Sequence, residues 1–222
     1  MKRAMMLLLA VGLVSPALAH GDRLYFMFFV KGKGDRKKFT NEQVMEMQKQ
    51  HIANFSAPTN LGKVLAAGPL GENIDRRGIV ILNVPNLHHV RPRFQGDPFV
   101  QNGLLDIEVW RWKIEGGKVN DQYSRTEMDQ YTLAILSRGP EWKSTGDAWT
   151  QHRGYLSNAM ESGFMGIHGP VQDRFGAVKV MIFKDKDKAK VQKFLDQDPL
   201  VKGKMVTTTV YGLYMAKNIL KP

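Results

Sequence analysis

Residues 51–69, HIANFSAPTNLGKVLAAGP, and residues 152–170, HRGYLSNAMESGFMGIHGP, carry one sparse pattern twice. A His is followed by a Gly and then by Gly-Pro at the same spacings, so His51, Gly62 and Gly68-Pro69 match His152, Gly163 and Gly169-Pro170. The register continues to Asp97-Pro98 and Asp198-Pro199. Every pair, with Ser56/Ser157 and Val100/Val201, stands 101 residues apart. One such match is ordinary, but a run at a single offset is the mark of a repeated structural unit. Residues between the motifs differ, so the reading is an old duplication of which few identities survive.

Periodicity gives both copies the same elements. Residues 24–30 and 131–136 are apolar runs of strand length. Thr40 and Gln43 make a capping box that opens a helix expected to reach about residue 60, with Val44, Met47, His51 and Phe55 on one side. Pro58, lacking an amide donor, would kink or end it early. Its counterpart is expected over residues 147–162, with Trp149, His152, Leu156 and Met160 in the matching row. Gly62 and Gly163 stand where helix C-terminal caps are expected. Strands are then predicted at 64–67 and 164–168, ending at Gly-Pro, and at 78–84 and 177–183. A second helix is weakly marked at 87–94 and clear at 186–195, and last strands follow at 104–114 and 205–214. The order βαββαβ predicts an α+β, ferredoxin-like unit with two helices on one face of a four-stranded antiparallel sheet. Trp110 and Trp112, two residues apart, share one side of the last strand. Two such sheets within one chain are expected to pack face to face or to close into a shared barrel.

The expected organisation is a leader over residues 1–19, a first unit over 20–115, a polar linker over 116–130 and a second unit over 131–222. The leader reading rests on Lys2 and Arg3, the apolar run 4–14, too short to span a bilayer, and the Ala17-Leu18-Ala19 cleavage pattern. Cleavage near Ala19 would export the chain, to the periplasm or beyond, and leave His20 first. No later segment has the roughly 20 apolar residues of a transmembrane helix, so no membrane partner is expected for the mature form. The chain has no Cys, which removes disulfides, thiolate catalysis and Cys-ligated metals from consideration.

The formal charge is +11, and without Lys2 and Arg3 it is 30 basic against 21 acidic residues, or +9. Only residues 31–38 and 184–190 concentrate it. Both stretches contain Asp and neither interleaves aromatics as a single-strand nucleic-acid groove does, so a solvated basic surface is expected and no nucleic acid. Metal readings are weak. Adjacent His88 and His89 would point about 100° apart on a helix, and an N-terminal His20 would need a second His to hold copper. No metal or cofactor is expected.

The pattern H-x10-G-x5-G-P-x27-D-P, present twice, resembles the YciI-like (YCII-related) domain family over nearly all of the chain after the leader. The first copy is the nearer match, at residues 63–71 and 97–103. The resemblance implies a ferredoxin-like fold whose domains pair as a dimeric α/β barrel, here supplied as a pseudo-dimer within one chain; a further homodimer through exposed edges stays open. It also implies an active site of His51 with Asp97, and of His152 with Asp198. One branch of the family is similar to dehydrochlorinases of hydroxylated chloroaromatics, and the wider barrel superfamily includes muconolactone isomerases and heme proteins.

An imidazole beside a carboxylate has a fixed tautomer and can take or give a proton near neutral pH. The pair supports proton abstraction next to a carbonyl, β-elimination or isomerisation. The same pair can equally be a structural contact, with Asp-Pro marking a turn. Gly68 and Gly169, each followed by Pro69 or Pro170, read as backbone requirements or binding positions. His168, at the register of Ala67, would make the second pocket different. Three functions therefore stay open: a lyase- or isomerase-type enzyme for a small molecule, a non-catalytic binder of a small apolar or aromatic ligand, and an interaction domain that uses the basic surface.

Overall fold

The computed structural model describes residues 23–71, 75–120, 123, 126–172 and 176–221; the expected leader, its cleavage site and His20 lie outside these. In chain order the first half contains β1 (Arg23–Lys31), α1 (Asn41–Phe55), β2 (Val64–Pro69), β3 (Arg76–Val84), α2 (Pro98–Gln101) and β4 (Leu105–Trp112). A short β5 (Gly116–Val119) follows. The second half contains β6 (Met128–Arg138), α3 (Asp147–Glu161), β7 (Met165–Gln172), β8 (Ala177–Phe183), α4 (Lys188–Leu195), α5 (Pro199–Lys202) and β9 (Val206–Ala216), and β10 (Leu220–Lys221) ends the described chain.

The fold is mixed α+β around one large antiparallel sheet, with strand order β2-β3-β1-β4 in the first half and β7-β8-β6-β9 in the second. The element order of the first half thus recurs in the second. β1 lies between β3 and β4, and β6 lies between β8 and β9. Among the described residues, strands of the two halves pair at two places. β4 pairs with β7 through Arg111↔Gln172 and Trp112↔Val171. At the other end Leu70 bridges Leu213, and the Gly71 amide donates to the Gly212 carbonyl at 2.9 Å. Shifting Leu70 and Gly71 forward, and Leu213 and Gly212 back, by the 101-residue repeat offset turns one junction into the other. Gly68 and Gly169 sit at these junctions: a Cβ on Gly68 would run into the Tyr214 carbonyl oxygen, and one on Gly169 into that of Lys113. Close approach of the opposing backbone is thus what excludes a side chain at both positions.

Three apolar clusters fill the molecule. The central one joins both halves, with Phe26, Phe28, Trp110 and Trp112 meeting Leu133, Ile135, Ile182 and Leu213. Its aromatic contacts are edge-on, with Phe28 to Trp110 at 4.9 Å and Phe26 to Trp112 at 5.3 Å between ring centroids, the geometry the ring quadrupoles favour. The other two clusters lie between the sheet and its helices, one in each half. Among the described residues no helix is long and apolar enough to cross a membrane.

Several local expectations need correction. α1 ends at Phe55, not near residue 60, and Gly62 (φ +69°) belongs to the turns that lead into β2. Gly163 (φ +74°) does follow the α3 cap at Ser162. The weak helix at 87–94 is two 3-10 turns, Leu87–His89 and Arg91–Phe94. Asn86 caps the first through the His88 amide at 3.0 Å, and Pro92 withholds a donor from any longer helix. Part of the segment read as a linker is β5, which pairs with β7 and β10; its Gly116-Gly117 start carries little strand signal of its own.

Candidate active site

Asp97 and Pro98 explain each other. Asp97 is the N-cap of α2, with Pro98 in its first turn, where a missing amide costs nothing. Its Oδ1 accepts from the amides of Phe99 at 3.0 Å and Val100 at 3.4 Å. The other oxygen is thereby directed at α1, where Oδ2 lies 2.5 Å from Nδ1 of His51. The carboxylate has no exposed surface, whereas the His51 side chain is 13% exposed. Nδ1–H donates to the buried carboxylate, which leaves Nε2 as the nitrogen with a free lone pair.

His51 borders a cavity of about 1200 Å³ that runs along β2. Phe29, Phe55 and Phe99 stand edge-on around the imidazole at centroid distances of 4.9, 5.1 and 5.5 Å. Tyr214, Ala216 and Ile219 form its wall from the second half. None of the α1 residues is buried, so this helix stands over its sheet without sealing it.

The second dyad has the same bonds in a closed setting. Asp198 caps α5, its Oδ1 accepting from Leu200 N at 2.9 Å, and its Oδ2 lies 2.7 Å from His152 Nδ1. Here both side chains are wholly buried. α3 buries His152, Leu156 and Ala159 against the sheet. Trp149 packs edge-on on the imidazole at 5.7 Å, and Trp142 on Trp149 at the same distance. His152 borders a hollow of about 420 Å³, yet offers it no accessible surface, and its Nε2 is buried without a partner.

The halves differ at matched positions. The three Phe positions around His51 correspond to Leu136, Leu156 and Leu200 in the second half; Phe29 pairs with Gly78 and Leu136 with Lys179, each beside the bulge that Arg77 makes in β3 and Val178 in β8. Gln48, which lines the large cavity, becomes Trp149. Reading the sequence singled out His51 and His152 but not these neighbours, although a comparison at the 101-residue offset contains the Gln48/Trp149, Phe55/Leu156 and Phe99/Leu200 pairs. Gly68 and Pro69 line the first cavity. Pro170 lines the second hollow and Gly169 the strand junction beside it.

His168, on β7, is 9% exposed, lies opposite Gly116 of β5, and has a buried Nδ1 without a partner. A Cβ at residue 116 would come within 2.5 Å of its Nε2, so the glycine makes room for the ring. Burial, with the Lys179 ammonium nearby, lowers its pKa to about 4. Lys179 bonds Glu115 at 2.9 Å; although burial works against ionisation, this partner holds the Glu115 carboxyl below its usual range.

A further polar group was missed in the sequence. Arg76 grips Glu108 through Nε and Nη2 at 3.2 and 3.0 Å, Trp110 Nε1 donates to the same carboxylate at 3.0 Å, and the guanidinium lies over the Phe28 ring. Strand alternation gave no sign of it, because its members come from three strands. Among the described residues no three His, Asp or Glu side chains are placed to hold a metal ion, and His89 Nδ1 is engaged with Asn86.

No curated protein matches this sequence. In structure it is similar to a candidate monooxygenase from Fusobacterium nucleatum (TM-score 0.55, 9% identity, 90% of this chain and 97% of that one). It is also similar to a chlorite dismutase variant from Candidatus Nitrospira defluvii (0.57, 11%, 88% and 93%) and to a heme-binding protein from Thermus thermophilus (0.51, 11%, 89% and 90%). At these identities the likeness is one of fold, that of the ferredoxin-like dimeric α/β-barrel proteins. In sequence, the first half of the chain, residues 25–113, matches the profile of the YCII-related domain family.

Proposed function

We propose that the protein is a small-molecule enzyme of lyase or isomerase type in which His51 is the general base and acid and Asp97 its positioning partner. One observation supports this above others: an imidazole with Nδ1 tied to a buried carboxylate is partly exposed and borders a cavity of ligand size. Nε2 would take a proton from a carbon acid in the cavity, and the imidazolium formed would be stabilised by Asp97. Return of the proton to a different atom gives isomerisation; loss of a β-leaving group gives elimination. A base so placed contributes roughly 10² to 10⁴-fold. In this proposal His152 and Asp198 are kept for packing, since the imidazole is sealed.

The two halves are proposed to be copies of one YciI-like unit closed as an intramolecular barrel, supported by the matched junctions at β4–β7 and β2–β9. Export after cleavage near Ala19 is likewise proposed, from the leader pattern alone. The test of the chemistry is proton exchange into deuterated water, followed by NMR, across a panel of carbonyl and halogenated ring compounds that bind. Exchange by the wild type and its loss in His51→Asn with binding retained is the expected outcome. Exchange undiminished in His51→Asn, or none with any bound compound, would sink the proposal and favour a non-catalytic binder.

Heme is a second occupant to consider, given the heme-binding neighbour. The residues fit it: the cavity has the volume, His51 offers one imidazole nitrogen, and Asp97 fixes the other. Bound there, heme would supply redox chemistry at iron. His51 would hold the group through its imidazole, and the cationic side chains of Lys31 and Arg36 would hold its propionates. A Soret band on hemin titration, lost in His51→Ala, would favour this reading over proton transfer.

A further inference from the structure

The cavity beside His51 is apolar around the imidazole and cationic at one end. Lys31, Arg36 and Arg77 line it, and among its described lining residues there is no Asp or Glu. Val30 packs toward the central core, so Phe29 and Lys31 share the helix-covered face of β1, roughly 7 Å apart along the strand. The ammonium therefore stems from one pleat beyond the ring that touches His51. Lys31 makes no ion pair among the described residues. Arg36 donates to two neutral acceptors, the Phe39 carbonyl at 2.8 Å and Asn41 Oδ1 at 3.0 Å, which order the guanidinium without cancelling its charge. The nearest carboxylate to the imidazole, Asp97, is buried and already accepts three hydrogen bonds.

An anion entering between Lys31 and Arg36 meets positive charge that no acid among the described lining residues offsets, while a ring beyond it meets Phe29, Phe55 and Phe99. A cation would be repelled at the entrance, and a neutral polar solute would desolvate without gain in the apolar part. We infer that the cavity takes an aromatic carboxylate, its oxygens between Lys31 and Arg36 and its ring against the three phenylalanines beside His51. This deepens the enzymatic reading, whose substrate it names by class, but the recognition would hold for a binder as well.

The test is calorimetric titration of the purified protein with 2-naphthoate and with its neutral isostere 2-naphthamide at pH 7.5. The acid should bind at least tenfold more tightly than the amide, and the difference should shrink as salt screens the charges. The Lys31→Met/Arg36→Gln double variant should lose the difference while still binding the amide. His51→Asn should retain it, which separates this inference from the acid–base proposal: proton exchange can fail while anion preference stands. Equal affinity for acid and amide overturns the inference, as does no saturable binding of either. So does a preference that survives the double variant or disappears in His51→Asn alone.

Discussion

Replacing Asp97 by Asn should leave the fold nearly intact and misdirect the imidazole, whereas replacing it by Ala should damage both. Asp97 Oδ1 caps α2 through two backbone amides, and Oδ2 holds His51 Nδ1. In Asp97→Ala the cap is lost, at about 1 kcal/mol, and a part-buried ring N–H is left without an acceptor, at about 1–3 kcal/mol. The sum, about 2–4 kcal/mol, corresponds to a melting point lower by about 4–16 °C in a chain of this size. In Asp97→Asn the two backbone donors keep the amide oxygen on the cap, because turning the side chain over would set NH₂ against N–H. The NH₂ then faces Nδ1, which must accept, and the ring proton moves to Nε2. Stability should change by about 1 kcal/mol or less, while Nε2 ceases to be a base and proton transfer falls by roughly 10² to 10⁴-fold. Urea melts followed by tryptophan fluorescence read the stabilities, and long-range proton–nitrogen NMR of the imidazole reads the tautomer without any substrate. An Asp97→Asn protein that melts like Asp97→Ala would refute the reasoning. So would a wild-type His51 whose Nδ1 carries no proton.

Three further outcomes follow from other parts of the molecule. Gly68→Ala and Gly169→Ala each push a Cβ into a carbonyl oxygen of the opposing strand, so each should destabilise by at least the roughly 1–3 kcal/mol typical of overpacking; a wild-type urea midpoint for Gly68→Ala would deny the β2–β9 junction. Gln48→Trp, which imports the residue at the matched position of the closed half, should fill the cavity beside His51 and abolish binding of aromatic ligands without loss of stability; calorimetry with retained binding would count against the cavity assignment. His168, neutral in the fold with a pKa of about 4, binds a proton in the unfolded chain below about 6.5. The unfolded state therefore holds more protons between these values, and stability must fall as pH drops through that window, by up to about 3 kcal/mol below about pH 4. His168→Ala should flatten that slope in acid-range urea melts, and an unchanged slope would contradict the burial of the ring.

The repeated spacing carried much of the architecture because it reports backbone requirements. Asp-Pro is an N-cap followed by a first-turn proline in both halves, and Gly68 and Gly169 sit where strands of opposite halves nearly touch. Such demands are local, so they stand as identities at matched positions while the residues between them differ. The site was only half legible. The pairing of His51 with Asp97 came only through the family resemblance, and the phenylalanine ring comes from β1, α1 and α2 and exists only once these converge. β5 was read as linker because its glycines are selected by the His168 ring above Gly116 and by close backbone contact at Gly117, features of tertiary packing alone. The 3-10 turns at 87–94 replace a longer helix because Pro92 lacks an amide donor and Asn86 caps the first turn.

Possession of the dyad does not by itself argue for chemistry, since both halves build the same triangle of imidazole, carboxylate and helix cap. The contrast between them does. A structural role uses only Nδ1, and the second half shows what packing then does with the rest of the ring: Trp149 packs on it, and Nε2 is buried without a partner. Where packing alone governed, the first half should have been filled in the same way, because an apolar void forfeits dispersion contacts and weakens the fold. Instead His51 is partly exposed and borders a cavity, α1 buries none of its residues, and Gln48 stands at the position that Trp149 holds in the second half. On the proposed reading, packing is relaxed around one imidazole and not around the other because a ligand is to meet His51 Nε2.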